Sequence, residues 1–153
     1  MTLSFRNVDV DPSSDPSTWP YEAIVAAIER GALTDWARLT RAVREDPWGV
    51  VARQIEEYLS YEQPYGVGPL LRRAIDRARR DAETAERAEV AARIGELVAR
   101  SGLPLSELAP RLGTSASRLS TYRSGKVVPS AAFMVRLTRV VDALRTGDDP
   151  SGE

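Results

Sequence analysis

Between Ser115 and Lys126 the chain reads SASRLSTYRSGK. Ser115, Ser117, Ser120, Thr121 and Ser124 are interleaved with Arg118, Arg123 and Lys126. Hydroxyls both donate and accept hydrogen bonds, whereas guanidinium and ammonium groups only donate and carry positive charge. Small hydroxyls among cations suit contact with phosphate oxygens and base edges, not bond making. The rest of the chain offers little chemistry. It has no cysteine and no histidine, which excludes disulfides, thiolate nucleophiles and the usual zinc sites. It also removes the side chain that most often shuttles protons near neutral pH. The adjacent pairs Glu56-Glu57 and Asp148-Asp149 cannot converge on one substrate atom. No Gly-rich phosphate loop follows a strand pattern. The chain therefore reads as a non-enzyme needing no cofactor or metal.

A net charge of -1 is an unpromising start for a polyanion binder, but the charge is unevenly placed. Residues 1–66 hold eleven acidic and six basic side chains, a net of -5, and residues 67–153 hold eleven acidic and fifteen basic, a net of +4. Between Ser101 and Thr146 there are seven basic and two acidic residues. Local field, not whole-chain charge, steers a polyanion. The basic residues are twenty arginines and one lysine, a skew attributed to a GC-rich bacterial genome. No run of about 18 apolar residues occurs, so no membrane span is expected. The start MTLSFRNVDVDP lacks a secretory pattern. The expected location is the cytoplasm, at the nucleoid.

The elements that would position the polar stretch are helical throughout. Residues 1–16 read as a disordered or loosely docked segment, with a weak strand pattern in Leu3, Phe5, Val8 and Val10. A first helix opens at Ser17 or Trp19 and lines up Tyr21, Ile24, Val25 and Ile28, with Gly31 as a left-handed cap. A second is capped by Thr34 and presents Trp36, Leu39 and Val43. A third, after Asp46-Pro47, presents Trp48, Val51, Ile55 and Leu59. Following a turn cluster, Pro69 begins a helix with no strong breaker before Gly102. Its middle, residues 76–89, is alanine and charge, with Asp76-Arg80, Glu83-Arg87 and Glu89-Arg93 each adding about 0.2–0.5 kcal/mol. A solvated bridging helix explains those arginines more simply than a second nucleic-acid site.

From Val90 onward the pattern tightens. Val90, Ile94, Leu97 and Val98 share one face. Leu105, Leu108 and Leu112 mark a short helix. Gly113-Thr114-Ser115 is a turn, with Ser115 capping a helix on which Leu119 and Tyr122 point inward. Ala116, Ser117, Ser120 and Thr121 point outward, and Gly125 ends that helix. Ser130 caps a last helix bearing Met134, Leu137, Val141 and Leu144, with Phe133 and Val140 outside its main stripe. The stretch GLPLSELAPRLGTSASRLSTYRSGKVVPS, Gly102 to Ser130, resembles the helix-turn-helix of the phage-repressor family (the Xre or Cro/repressor type), over residues 87–144 with its flanking helices. By that resemblance the base-reading positions fall on Ala116, Ser117, Ser120 and Thr121, and the phosphate-contacting positions on Ser115, Ser124 and Lys126. Arg123 and Arg118 add charge, and Arg118 can reach either a guanine or a phosphate. Three positions depart from the family pattern: Leu105 where a glutamine is frequent, Arg123 where an acid is frequent, and Pro110 inside the second helix. A proline in a helix interior costs about 3 kcal/mol, so a distorted or shortened helix is expected.

The fold class expected is all-α, an N-terminal helical module joined by a long helix to a C-terminal helix-turn-helix domain. The divisions are residues 1–16, an acidic helical module at 17–80, the DNA-binding domain at 81–146, and an acidic disordered tail at 147–153. The resemblance implies a dimeric repressor acting on its own operon through double-stranded DNA, with Ala116–Arg123 in the major groove. The dimer contact is expected from Phe133 and Val140 or from the aromatic N-terminal module. A second reading is an antitoxin-like or adaptor protein whose N-terminal module binds a protein such as a cognate toxin. A third is a helical hairpin used only for protein contacts.

Overall fold

The computed structural model describes residues 9–147. Among them there are seven α-helices, one 3-10 turn and no strand. Of the expected strand, Leu3, Phe5 and Val8 lie outside the described residues, as does the tail beyond Gly147, while Val10 is not in a strand and packs half-buried against the core of the first helices. The helices are α1 Tyr21–Arg30, α2 Leu33–Glu45, α3 Val50–Tyr61, α4 Val67–Ser101, α5 Leu105–Arg111, α6 Ala116–Ser124 and α7 Ala131–Thr146. The chain divides into two compact units, Met1–Glu83 and Thr84–Glu153. The helix α4 runs through the division. No helix among the described residues is long and apolar enough to cross a membrane.

The first unit buries Ile24, Ile28, Leu39, Val43, Ile55, Leu71 and Ile75 from α1 to α4. A 3-10 turn, Pro16–Thr18, precedes α1 and is capped by Asp15, whose side chain accepts from the Ser17 N–H. The preceding residues are held by Arg38, which donates to the carbonyls of Pro12 and Ser14. Arg38 also lies 5.2 Å from the centre of the buried Trp19 ring. Tyr58 is buried and donates to Glu29 at 2.8 Å. Burial, with Glu29 alongside, pushes its phenol up to about 12. Arg79 of α4 donates to the Pro47 carbonyl at 3.0 Å and pairs with Glu56, fastening the α2–α3 turn.

Four expectations for this unit fail. The helix α1 opens at Tyr21 after Pro20 as its N-cap and not at Ser17 or Trp19, which belong to the preceding 3-10 turn and its cap. Gly31 is not left-handed: its φ of -74° is ordinary. What demands glycine there is crowding, because a Cβ would collide with the Ala27 carbonyl oxygen. Thr34 does not cap α2. That helix begins at Leu33, and Asp35 reaches back to accept the Ala32 N–H at 2.8 Å, satisfying a donor that helix starts leave free. Trp48 is not on the inner face of α3. It precedes that helix, is 45% exposed, and lies beneath Arg79.

The second unit buries Ile94, Leu97 and Val98 of α4 with Leu108, Leu112, Leu119, Leu137 and Val141. Each fully buried leucine contributes about 1.5–3 kcal/mol. Gly102, with φ of 67°, ends α4 as the sequence requires. Arg100 and Asp142 pair at 3.7 Å, joining the end of α4 to α7. In this unit Ser130 accepts from the Phe133 N–H at 3.1 Å, capping α7.

Candidate nucleic-acid interface

The polar stretch forms α6, and its placement starts one helix earlier. Pro110 lies within α5, which is only seven residues long. Having no N–H, Pro110 cannot continue the helix bonding. The helix closes immediately after it. The Gly113 N–H bonds the Pro110 carbonyl at 3.1 Å, and the Thr114 N–H bonds the Ala109 carbonyl at 3.1 Å. With Gly113 at φ of 70°, this is a Schellman closure, which satisfies the orphan carbonyls at a helix end. Arg136 of α7 donates to the next carbonyl, that of Leu112, at 3.1 Å. No sequence spacing flagged Arg136, because its partner is a backbone oxygen supplied by another helix.

Ser115 then opens α6. Its hydroxyl oxygen accepts the Arg118 N–H at 3.1 Å. The O–H proton of Ser115 remains available to an outside acceptor. At the far end Gly125 takes φ of 82°, and the Val127 N–H folds back to the Thr121 carbonyl at 3.3 Å. Leu119 and Tyr122 face the core, and the Tyr122 ring packs against Phe133 at 5.0 Å between centres. These two residues fix which side of α6 faces out.

That outer side carries Ser117, Ser120 and Ser124, all exposed. Their spacing of three and four residues puts them in one stripe. At 1.5 Å per residue the stripe is about 10 Å long. Thr121 flanks it, half-buried, with its hydroxyl donating to the Arg118 carbonyl at 2.6 Å. Ser124 donates to the Thr121 carbonyl at 3.1 Å and accepts from the Lys126 N–H at 3.5 Å. Arg123 and Lys126 are exposed at the C-terminal end. Val127 and Val128 follow, also exposed, an apolar tip that the polar pattern did not signal.

Two expected placements need correction. Ala116 does not point away from the unit. It is half-buried and packs against the core, because residue 116 lies one turn before buried Leu119 on the same flank. Phe133 is not free to form a dimer contact. It is buried beneath Tyr122, and Val140 is half-buried against the same core.

Arg118 is more constrained than an exposed arginine ordinarily is. Its Nε donates to the Tyr122 hydroxyl at 2.9 Å, and its guanidinium carbon lies 6.0 Å from the Tyr122 ring centre. One donor is thereby used, and the side chain is drawn along the helix toward its C-terminal end. The stripe is thus bordered by three cations, Arg118, Arg123 and Lys126. Among the described residues no group of carboxylates or other ligating side chains could hold a metal ion. No protein-family model, curated protein or solved structure matches the chain.

Proposed function

We propose that the second unit binds double-stranded DNA, with α6 in the major groove, as a dimeric repressor of its own operon in the cytoplasm. The supporting observation is the serine stripe of Ser117, Ser120 and Ser124, bordered by Arg118, Arg123 and Lys126 and backed by buried Leu119 and Tyr122. A groove about 12 Å wide admits one helix, and small outward side chains let it approach closely. The stripe's length of about 10 Å corresponds to roughly three base steps at 3.4 Å each. Ser117 and Ser120 touch base edges in this reading, and Thr121 reaches them from the flank. Ser115, Arg123 and Lys126 hold phosphates, and Ser124 joins them by turning its hydroxyl outward from the Thr121 carbonyl. Arg118, anchored on Tyr122, also serves the backbone.

A hydroxyl can donate or accept, so serines discriminate bases weakly. Affinity then comes chiefly from the cations and from two half-sites about 34 Å apart. The reading requires neither a cofactor nor a catalytic residue. The test is fluorescence anisotropy of the full chain on DNA from upstream of its own gene, across a salt series. Replacing Arg118, Arg123 and Lys126 by alanine should flatten the dependence of log K on log salt by about 0.9 for each lost phosphate contact. An unchanged slope would remove these side chains from the interface. Serine-to-alanine changes at 117 and 120 should alter sequence preference while leaving the slope intact. If preference is untouched, α6 is not the reading element.

A further inference from the structure

We infer that the first unit carries a docking trough for an acidic amphipathic segment of a partner protein, between the first turns of α2 and α4. This goes beyond the DNA-binding reading and does not depend on it. The trough has a volume of about 560 Å³ and a floor of Leu33, Trp36, Pro69 and Leu70. Leu33 is 73% exposed and Leu70 42%. Two large aliphatic side chains thus stand in water on adjacent helices, beside a tryptophan whose indole N–H is bonded inward to the Ala27 carbonyl at 3.1 Å. Gly66 and Pro69 are shared with a second depression of about 730 Å³, which is bordered by the fully exposed Tyr65.

Charge identifies the occupant. Arg73 and Arg77 border the first depression and Arg72 the second, and no carboxylate lines either one. This basic border belongs to the first unit, whose residues 1–83 hold fourteen acidic and eleven basic side chains, a net of -3. A local positive field over an apolar floor complements a helix with one apolar face edged by glutamate or aspartate. Trp, Tyr and Arg are also the residue types on which interface energy concentrates. Arg77 lies 3.9 Å from Asp81, but both side chains are largely exposed, and such pairs yield readily to a better partner. Arg72 has one nitrogen bonded to the Leu59 carbonyl at 2.6 Å, with its remaining donors uncommitted to that bond.

Other occupants fit less well. A phosphate backbone gains nothing from exposed leucines. Residues 1–8, MTLSFRNV, contain an arginine and no acid, so their charge is wrong. Residues 148–153, DDPSGE without their preceding glycine, are acidic but offer no large apolar side chain.

The experiment uses the full chain, labelled with ¹⁵N, and two synthetic amphipathic helices: one of leucine and glutamate, the other of leucine and lysine. The leucine–glutamate peptide should shift the amides of Leu33, Trp36, Leu70 and Arg73 and the Trp36 indole. Either Leu70→Glu or the pair Arg73→Glu and Arg77→Glu should weaken that binding at least about tenfold. All three positions are exposed, and unchanged resonances elsewhere verify the fold. The inference is overturned if the lysine peptide binds the trough equally well, or if the glutamate peptide shifts other faces or none. Sedimentation of the protein alone closes the remaining route. Self-association abolished by Leu70→Glu would assign the trough to a second copy and overturn the inference.

Discussion

Tyr122→Phe separates the positioning of Arg118 from its charge. The substitution removes one oxygen and keeps the ring against Phe133, where the centres are 5.0 Å apart. What is lost is the bond from Arg118 Nε at 2.9 Å. The arginine then regains its rotamers, and ordering such a side chain on binding costs about 0.5–1.5 kcal/mol. Two recognition helices in a dimer double this to about 1–3 kcal/mol, on the order of a five- to hundredfold weaker Kd. The assay is anisotropy on operator DNA for the wild type, Tyr122→Phe, Arg118→Ala and the double variant. Arg118→Ala should weaken binding at least as much and lower the salt slope by about 0.9 per protomer. Tyr122→Phe should leave the slope unchanged, since no cation is lost. On the Arg118→Ala background it should have no further effect. The reasoning is refuted if Tyr122→Phe is silent while Arg118→Ala is costly. It is equally refuted if the tyrosine change weakens binding as much with Arg118 absent.

Three predictions concern stability. Pro110→Ala restores an N–H within α5 and should stabilise the second unit by about 1–2 kcal/mol, less than the full interior penalty because the helix ends one residue later. Thermal melting showing no gain would mean that the Schellman closure, not the ring, limits the helix. Arg79→Ala removes the bond to the Pro47 carbonyl and the pair with Glu56 and should cost the first unit about 1–2 kcal/mol in denaturant unfolding. Tyr58, raised to about 12, should titrate in ultraviolet absorbance well above the ordinary phenol value of 10. Its neutral form is favoured by the fold, so its contribution is complete below pH 10 and is lost as pH rises toward 12. Tyr58→Phe should therefore reduce the alkaline loss of stability across that window.

The elements legible in the sequence were those whose cause is local. Gly102, Gly113 and Gly125 sit where a left-handed residue must end a helix, and the alternation of small and apolar residues placed Leu119 and Tyr122 inward. Ser115 and Ser130 each precede a helix and accept an N–H three residues on. The 35-residue α4 followed from the lack of breakers between Pro69 and Gly102, although it starts at Val67. The misreadings have local as well as tertiary causes. Phe133 lies four residues before Leu137 and eight before Val141, on their buried face, so its inward position was open to spacing and was misread. Trp48 fits the period of α3 but is drawn outside it beneath Arg79. Thr34 is a good capping residue placed two positions too late, because Asp35 reaches back instead. In the candidate site, Ser117, Ser120 and Ser124 were readable from spacing. The burial of Ala116, one turn before Leu119, and the tether of Arg118 to Tyr122, four residues on, follow the same helical spacing and were missed.

Lys126 is the chain's one lysine, and it lies just beyond the left-handed Gly125 that ends α6. Reductive methylation with ¹³C-formaldehyde would therefore install a side-chain resonance at a single known place. Methylation preserves the positive charge, so the probe can approach a polyanion without altering the electrostatics it reports.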